Sequence, residues 1–114
     1  EYRSSDGLIT ISTRQGIENQ LYSLLHECGH LALDKNPKLY SKRFPTSMKL
    51  AIKSNKALEN SKKYKVDTMA EEIDAWRKGR ELANRLDIYV NDEKYYNLQV
   101  ECLYGYIQHL ARFA

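Results

Sequence analysis

The stretch Leu24-Leu25-His26-Glu27-Cys28-Gly29-His30 contains two histidines four positions apart, with a glutamate directly after the first. In an α-helix this spacing brings both imidazoles to one face, about 6 Å apart along the axis. Two imidazole nitrogens at that separation can bind one tetrahedral zinc ion. Glu27 can reach a water molecule at the metal without binding the metal itself. We therefore predict that His26 and His30 are zinc ligands and that Glu27 is the catalytic base.

The residues around this motif predict the helix that the chemistry requires. Apolar positions recur at intervals of four, three, four and three residues: Ile17, Leu21, Leu24, Cys28 and Leu31. This stripe predicts an amphipathic helix from about residue 16 to residue 33, ended by Asp34-Lys35-Asn36-Pro37. Cys28 points about 160° away from His30 around the axis, so we interpret it as a small buried residue. Gly29 would let a substrate or another backbone approach closely.

A catalytic zinc site needs a third protein ligand, and the candidates are Glu71, Glu72 and His109. One helical stripe contains Glu72, Trp76, Gly79, Ala83 and Leu86. Glu72 is therefore expected on a buried face, where a carboxylate is costly unless it is paired or binds a metal. Glu71 is rotated by about 100° from Glu72, and a first-turn acid there is sufficiently explained by the helix dipole. Helical phase favours Glu72 as the ligand, with Glu71 and His109 as alternatives.

Other elements follow from the same kind of pattern. The β-branched run Leu8–Thr13 predicts a strand, and apolar residues between 46 and 60 predict a short helix. Asp67-Thr68 has the composition of an N-cap and predicts a helix that continues to about residue 86. The last helix is predicted over Asp92–Ala111. Together these elements predict one mostly helical α+β domain, residues 1–114, with a small β-sheet near its beginning.

The segment 35–67 differs in character, because it is rich in lysine and contains both prolines. Its basic residues are Lys35, Lys38, Lys42, Arg43, Lys49, Lys53, Lys56, Lys62, Lys63 and Lys65. We interpret the segment as a basic insertion within the domain, mostly loop outside the short helix predicted above. Such a segment can contact nucleic acid or an acidic protein. A solvated surface loop is the simpler interpretation, and it is the one we favour.

Composition narrows the class of protein. The chain has 114 residues, a net charge of +3 and 42% hydrophobic residues, which is ordinary for one soluble globular domain. Its apolar runs fall far short of the roughly 20 residues that cross a membrane, so we expect no membrane partner. Two cysteines make no disulfide framework, and a reduced, cytoplasmic setting is expected.

The motif Leu24–His30, followed by Glu72-Ile73-Asp74-Ala75-Trp76, resembles the ImmA/IrrE-type metallopeptidase family. Members have a helical HExxH motif and a second helix in which the third ligand, a glutamate, stands three residues before an alanine. The resemblance covers residues 8–34 and 68–87, about half of the chain, and implies that Glu72 is that ligand. It also implies a minimal zincin-like fold, with an active-site helix, a second ligand-bearing helix, a C-terminal helix and a small sheet.

The chain departs from the family pattern in two ways that leave its substrate open. The stretch between the two motifs is long and rich in lysine, and Trp76 stands where the family often has asparagine. Compact stand-alone domains of this kind are similar to ones found in phages and mobile elements.

The predicted function is zinc-dependent hydrolysis of a peptide bond in a protein or peptide substrate. The strand Leu8–Thr13 would hold that substrate by edge pairing. The alternative is a non-catalytic zincin-like module that binds a protein partner or nucleic acid through its basic segment. Glu27 argues against the alternative, because a purely structural zinc site needs no general base. Tyr104, Tyr106 and His109 are candidates for stabilising the transition state. Asp74 either holds a ligand histidine by its other ring nitrogen or makes a surface pair with Arg77 or Lys78.

Overall fold

A computed structural model describes residues 2–3, 8–11, 14–52, 57 and 61–112. The elements in these ranges are β1 (Tyr2–Arg3), β2 (Leu8–Ile9), α1 (Ile17–Asp34), α2 (Pro37–Arg43), α3 (Pro45–Ile52), α4 (Lys62–Arg85) and α5 (Asp92–Ala111). The domain is mostly helical, as predicted, and α1 and α5 have nearly the predicted bounds. Ser12, Thr13 and parts of the helix predicted over 46–60 lie outside the described residues.

The prediction of a small β-sheet as part of the domain is not supported by the described residues. Within the described part of the predicted strand, only Leu8–Ile9 pairs, antiparallel to Tyr2–Arg3, and each strand has two residues. Leu8 is 47% exposed. Ile9 and Ile11, expected on one face, are partly buried, but a pair of two-residue strands is too short to form a layer that packs on the core.

Helices α1 and α4 form the centre of the domain, and two glycines let them touch. A Cβ atom on Gly29 would collide with the backbone carbonyl of Ala75. On the other helix, a Cβ atom on Gly79 would collide with the carbonyl of Leu25. The backbones therefore meet more closely than ordinary side chains allow. Gly29 admits another backbone, as the sequence suggested, and that backbone belongs to α4.

The main core lies beside this crossing and includes the start of α5. Its buried side chains are Tyr22, Leu25, Trp76, Ala83, Val90 and Tyr95. The hydroxyl of Tyr95 donates to the Trp76 carbonyl oxygen at 2.5 Å, and the Asn91 backbone N–H donates to the Tyr22 hydroxyl at 2.8 Å. These bonds fix where α5 begins. Helix α5 then runs antiparallel to α4, so its later residues pass alongside Glu72.

The basic segment is folded back onto the domain, and the expectation of a loop after Pro37 is wrong. Asn36 accepts a hydrogen bond from the Leu39 N–H at 3.2 Å, and Pro37 occupies the first turn of α2. The proline that ends α1 therefore begins the next helix. Phe44, only 1% exposed, packs with Leu33 of α1 and anchors the segment.

The predicted N-cap at Asp67-Thr68 is also wrong, because α4 begins about one and a half turns earlier. Ser61 is the N-cap and accepts from the Tyr64 N–H at 3.2 Å. Asp67 caps a different helix: its Oδ2 accepts from the backbone N–H groups of Thr46 and Ser47 at 2.8 and 3.3 Å. Its capping chemistry was recognised, but the helix it serves is α3. Among the described residues, no helix has the length and apolar character to cross a membrane.

Candidate metal centre

His26, Glu27 and His30 form a group on α1 that could hold a metal ion, with ligand atoms within 4.8 Å of one another. The side chains of His26 and His30 are only 9% and 16% exposed, and that of Glu27 is 12% exposed. The i, i+4 spacing places both imidazoles on the face that meets α4. The predicted ligand histidines are therefore brought together at the crossing of the two central helices.

Glu72 reaches the same point from α4. Its Oε2 lies 2.8 Å from His26 Nε2 and 3.3 Å from His30 Nε2, while the two Nε2 atoms are 3.1 Å apart. Ligand atoms around a tetrahedral zinc ion with bonds of about 2.0–2.1 Å lie about 3.3 Å from one another. The three atoms thus have nearly the mutual spacing of one triangular face of a zinc site. Helical phase placed Glu72 on a buried face, and it is 6% exposed.

Glu27 approaches His26 from the opposite ring nitrogen. Its Oε1 is 3.3 Å from His26 Nδ1, whereas the Glu72 contact is to Nε2. The two carboxylates therefore have different positions relative to the point where the imidazoles converge. Glu72 lies at that point, and Glu27 lies beside it, within reach of a small molecule there.

The electrostatics of the group favour a cation. Burial raises the pKa of Glu72, but the imidazoles of His26 and His30 outweigh it and hold the pKa at about 2. Burial lowers the pKa of His30, yet the Glu71 and Glu72 carboxylates raise it to about 10. The pKa of His26 is raised in the same way, by Glu27 and Glu72 against burial. With neutral imidazoles the carboxylates would leave an uncompensated negative charge, which a divalent cation would offset.

Trp76 holds the imidazole of His26 from one face. The two rings are parallel within 7°, with centroids 4.2 Å apart. Trp76 is 1% exposed and also meets Tyr95 edge-on at 5.2 Å. In the sequence Trp76 stands out only as a departure from the family pattern, and this contact with His26 was not predicted. The signal was present, because Trp76 is one turn after Glu72 on the same stripe.

The alternative third ligands lie elsewhere. Glu71 is 3.9 Å from His30 Nδ1, the ring nitrogen that faces away from Glu72. His109 is exposed in the last turn of α5. Cys28 is half-buried and lines a cleft of about 220 Å³ with Arg43 and Phe44. In the part of the chain that the structure describes, neither His109 nor Cys28 joins the metal-binding group.

Asp74 does not contact a ligand histidine in the described contacts. It is buried and forms ion pairs with Arg43 of α2 at 2.5 Å and Arg77 at 3.1 Å. The predicted pair with Arg77 is present, but Asp74 is buried, so the expectation of a surface pair is wrong. Its additional partner on α2 could not be predicted, because that segment was interpreted as loop.

Tyr106 is a residue of α5 that lies near the candidate metal centre. Burial, the negative charge of Glu72 and a hydrogen bond to that carboxylate together raise the pKa of the Tyr106 hydroxyl. Tyr104, by contrast, is 59% exposed. Of the tyrosines considered from sequence as transition-state donors, Tyr106, itself 36% exposed, is the one whose hydroxyl lies near Glu72.

Comparison of the chain with family models, with curated proteins and with solved structures gave no match. The site therefore has to be interpreted from its own residues.

Proposed function

We propose that this chain is a zinc-dependent metallopeptidase of the ImmA/IrrE type, with His26, His30 and Glu72 as the metal ligands. The observation that carries the proposal is the convergence of two imidazole nitrogens and one carboxylate oxygen at 2.8–3.3 Å. Two histidines and one carboxylate are a common ligand set of catalytic zinc sites, which leave one position open. The compact group of His26, Glu27 and His30 supports the same location.

Glu27 supplies the proton chemistry in this proposal. A zinc ion held by the three ligands would polarise the substrate carbonyl and make a water molecule more acidic. Glu27 accepts the proton of that water as its oxygen bonds to the carbonyl carbon. The carboxyl then donates the proton to the amide nitrogen as the C–N bond breaks. Glu27 Oε1 lies 3.3 Å from His26 Nδ1 and its side chain is only 12% exposed, so the carboxylate is held against this group of residues rather than in solvent.

The protein environment supports this assignment of roles. Ligand side chains that are at most 16% exposed provide a site from which most water is excluded, which strengthens charge interactions. Trp76 fixes the ring plane of His26, so the ligand loses little freedom when metal binds. The substrate would be a peptide or protein, in the reduced cytoplasmic setting expected from the cysteine content.

Metal content is the first test. Purified protein should contain about one zinc per chain by elemental analysis, and His26→Ala, His30→Ala and Glu72→Ala should each lose it. Glu101→Ala changes an exposed glutamate on α5 and serves as the matched control. Full zinc occupancy in any of the three ligand variants would show that the ligand set is wrong.

Turnover is the second test. A pool of internally quenched fluorogenic peptides should be cleaved by the zinc-loaded protein and protected by a zinc chelator. Glu27→Gln should keep its zinc and lose cleavage by about 100-fold or more, because an amide cannot accept the proton of water. Cleavage at the wild-type rate by Glu27→Gln would remove this residue from the role of base. Inhibition by acetohydroxamate would indicate an open metal position.

The second candidate function is binding of nucleic acid through the basic segment. The exposed cations of α2, α3 and the beginning of α4 favour it: Lys38, Lys42, Arg43, Lys49, Lys62 and Lys63. Salt-dependent binding of a fluorescent DNA or RNA duplex, unchanged in Glu27→Gln, would support this function. Equal binding by a variant with Lys38, Lys42 and Lys49 changed to glutamine would count against it.

A further inference from the structure

Glu71 and Tyr40 form a contact directly behind His30. The hydroxyl of Tyr40 donates to Glu71 Oε2 at 3.1 Å, and Glu71 Oε1 lies 3.9 Å from His30 Nδ1. Tyr40 belongs to α2, Glu71 to α4 and His30 to α1. Three helices therefore meet at one polar contact beside the metal centre.

The helix dipole does not explain Glu71. Helix α4 begins at Lys62, so Glu71 stands nine residues later and well beyond the first turn, where the dipole acts. Its side chain is only 23% exposed. Partial burial of a carboxylate costs free energy unless hydrogen-bond donors or positive charges face it. Tyr40 and His30 are the groups that face it.

The two ring nitrogens of His30 point to different partners. Nε2 faces Glu72 and His26 at 3.2 and 3.1 Å, which is the side of the metal centre. Nδ1 faces Glu71. A histidine that binds a metal through one nitrogen commonly donates its other N–H to a carboxylate, which fixes the tautomer and the ring orientation. The separation of 3.9 Å is an ion-pair distance, and it exceeds the length of a hydrogen bond by less than about 1 Å.

We propose that Glu71 and Tyr40 are positioning residues for His30: Glu71 accepts the His30 Nδ1–H, and Tyr40 holds the carboxylate in place. The inference rests on the proposed zinc site, which it deepens. It also gives α2 a role in the metal centre, although the sequence suggested that this segment is an insertion. Tyr40 packs edge-on against Phe44 at 5.0 Å, so the buried anchor of the segment also fixes the tyrosine ring.

The experiment compares the zinc affinities of Glu71→Gln, Tyr40→Phe and the double variant, measured by competition with a chromophoric chelator. Glu101→Gln and Tyr104→Phe are the matched controls, since both change exposed residues of α5. Glu71→Gln should weaken zinc binding by about 10- to 100-fold. Tyr40→Phe should weaken it by a smaller factor. The double variant should be no worse than Glu71→Gln, because the hydroxyl acts only through the carboxylate.

Cobalt(II) substitution distinguishes a positioning residue from a ligand. In Glu71→Gln the visible absorption bands should shift while keeping the intensity of a four-coordinate site, whereas Glu72→Gln should change that intensity. If Glu71→Gln removes metal as completely as Glu72→Gln does, Glu71 is itself a ligand and the inference is overturned. Far-UV circular dichroism checks folding, and Tyr40→Phe, which removes one oxygen, keeps the test valid if Glu71→Gln does not fold.

Failure of the inference can be told apart from failure of the proposed function. If the wild-type chain binds zinc tightly and Glu71→Gln binds it within about twofold, only the positioning role is lost. A double variant whose loss is the product of the two single losses would also overturn the coupling of Tyr40 to Glu71. If wild type and Glu72→Ala bind zinc equally weakly, the zinc site fails and the inference fails with it.

Discussion

The crossing of α1 and α4 and the second half of α5 were both predicted from apolar periodicity, yet they differ in burial. At the crossing, Ala75 and Trp76 are at most 1% exposed. Along the second half of α5, Tyr104, Tyr106 and Ile107 are 59%, 36% and 52% exposed. Periodicity therefore predicts that a helix forms, but it does not say which apolar face another element covers. Covering depends on a partner helix, which a pattern along one segment cannot reveal.

Glycine is the feature that separates the two regions. Gly29 and Gly79 stand where the backbones of α1 and α4 meet, and neither position has room for a Cβ atom. Gly105, in the exposed part of α5, has no described atom within 4 Å of the place where its Cβ would lie. The close approach at the crossing also brings His26 and Glu72, on opposite helices, within hydrogen-bond distance. The candidate metal centre is thus a consequence of the packing.

The largest expected effect comes from filling these two kinds of glycine position. Gly29→Ala should lower the free energy of unfolding by about 3 kcal/mol or more, since the methyl group would force the helices apart. Gly105→Ala should raise it by up to about 1 kcal/mol, because alanine favours helix and space is available. Urea denaturation of both variants, followed by circular dichroism, measures the difference. Equal stabilities would show that the helices do not touch at Gly29.

The proposed ligand residues show how much of the candidate site could be predicted from the sequence. His26, Glu27 and His30 were predicted because their spacing on a single helix defines their relative positions. Glu72 was predicted by phase on its own helix, and it lies at the expected point. Glu71 and Tyr40 were not predicted as a pair, because their contact joins α2 to α4. Contacts between helices depend on packing across the whole fold, which a pattern along one helix does not reveal.

The errors in the fold have the same origin. Asp67 and Pro37 were recognised as a cap and a helix end, yet Asp67 caps α3 and Pro37 begins α2. Local chemistry identifies that a residue caps or interrupts a helix, and the tertiary structure decides which helix it serves. The predicted sheet reduced to a two-residue pair, although Ile9 and Ile11 are partly buried. β propensity indicates that a segment can form a strand, but the length of its pairing depends on a partner elsewhere in the chain.

Tyr106 tests whether the second half of α5 contributes to the site. Tyr106→Phe should weaken zinc binding by about tenfold, because the hydroxyl lies near the Glu72 carboxylate and can donate to it. Tyr104→Phe, two residues away and 59% exposed, should leave the affinity unchanged. Chelator competition measures both variants. Equal affinities would mean that α5 is only a structural support for the metal centre.

Tyr95 tests the buried beginning of the same helix. Its hydroxyl donates to the Trp76 carbonyl oxygen at 2.5 Å, and Tyr95 stands in the first turn of α5. Tyr95→Phe should cost about 1 kcal/mol of unfolding free energy, the usual net contribution of one hydrogen bond. Tyr96→Phe is the control, because Tyr96 is 61% exposed. A Tyr95→Phe protein as stable as wild type would show that ring packing alone fixes α5.

The smallest change in unfolding free energy is expected for substitutions on the exposed face of α5. These substitutions test most directly whether this face is uncovered, unlike the crossing of α1 and α4. Ile107→Gln and Val100→Thr should each change the unfolding free energy by less than about 0.5 kcal/mol. Glutamine favours helix slightly more than isoleucine does, so Ile107→Gln should be neutral or mildly stabilising. Leu25→Gln, at a position 3% exposed, should unfold much of the protein in the same assay. A loss above about 1 kcal/mol for Ile107→Gln, together with a sedimentation change on dilution, would mean that another molecule covers this face. The crossing of α1 and α4 would then be covered within the chain, and the exposed face of α5 would be covered by another molecule.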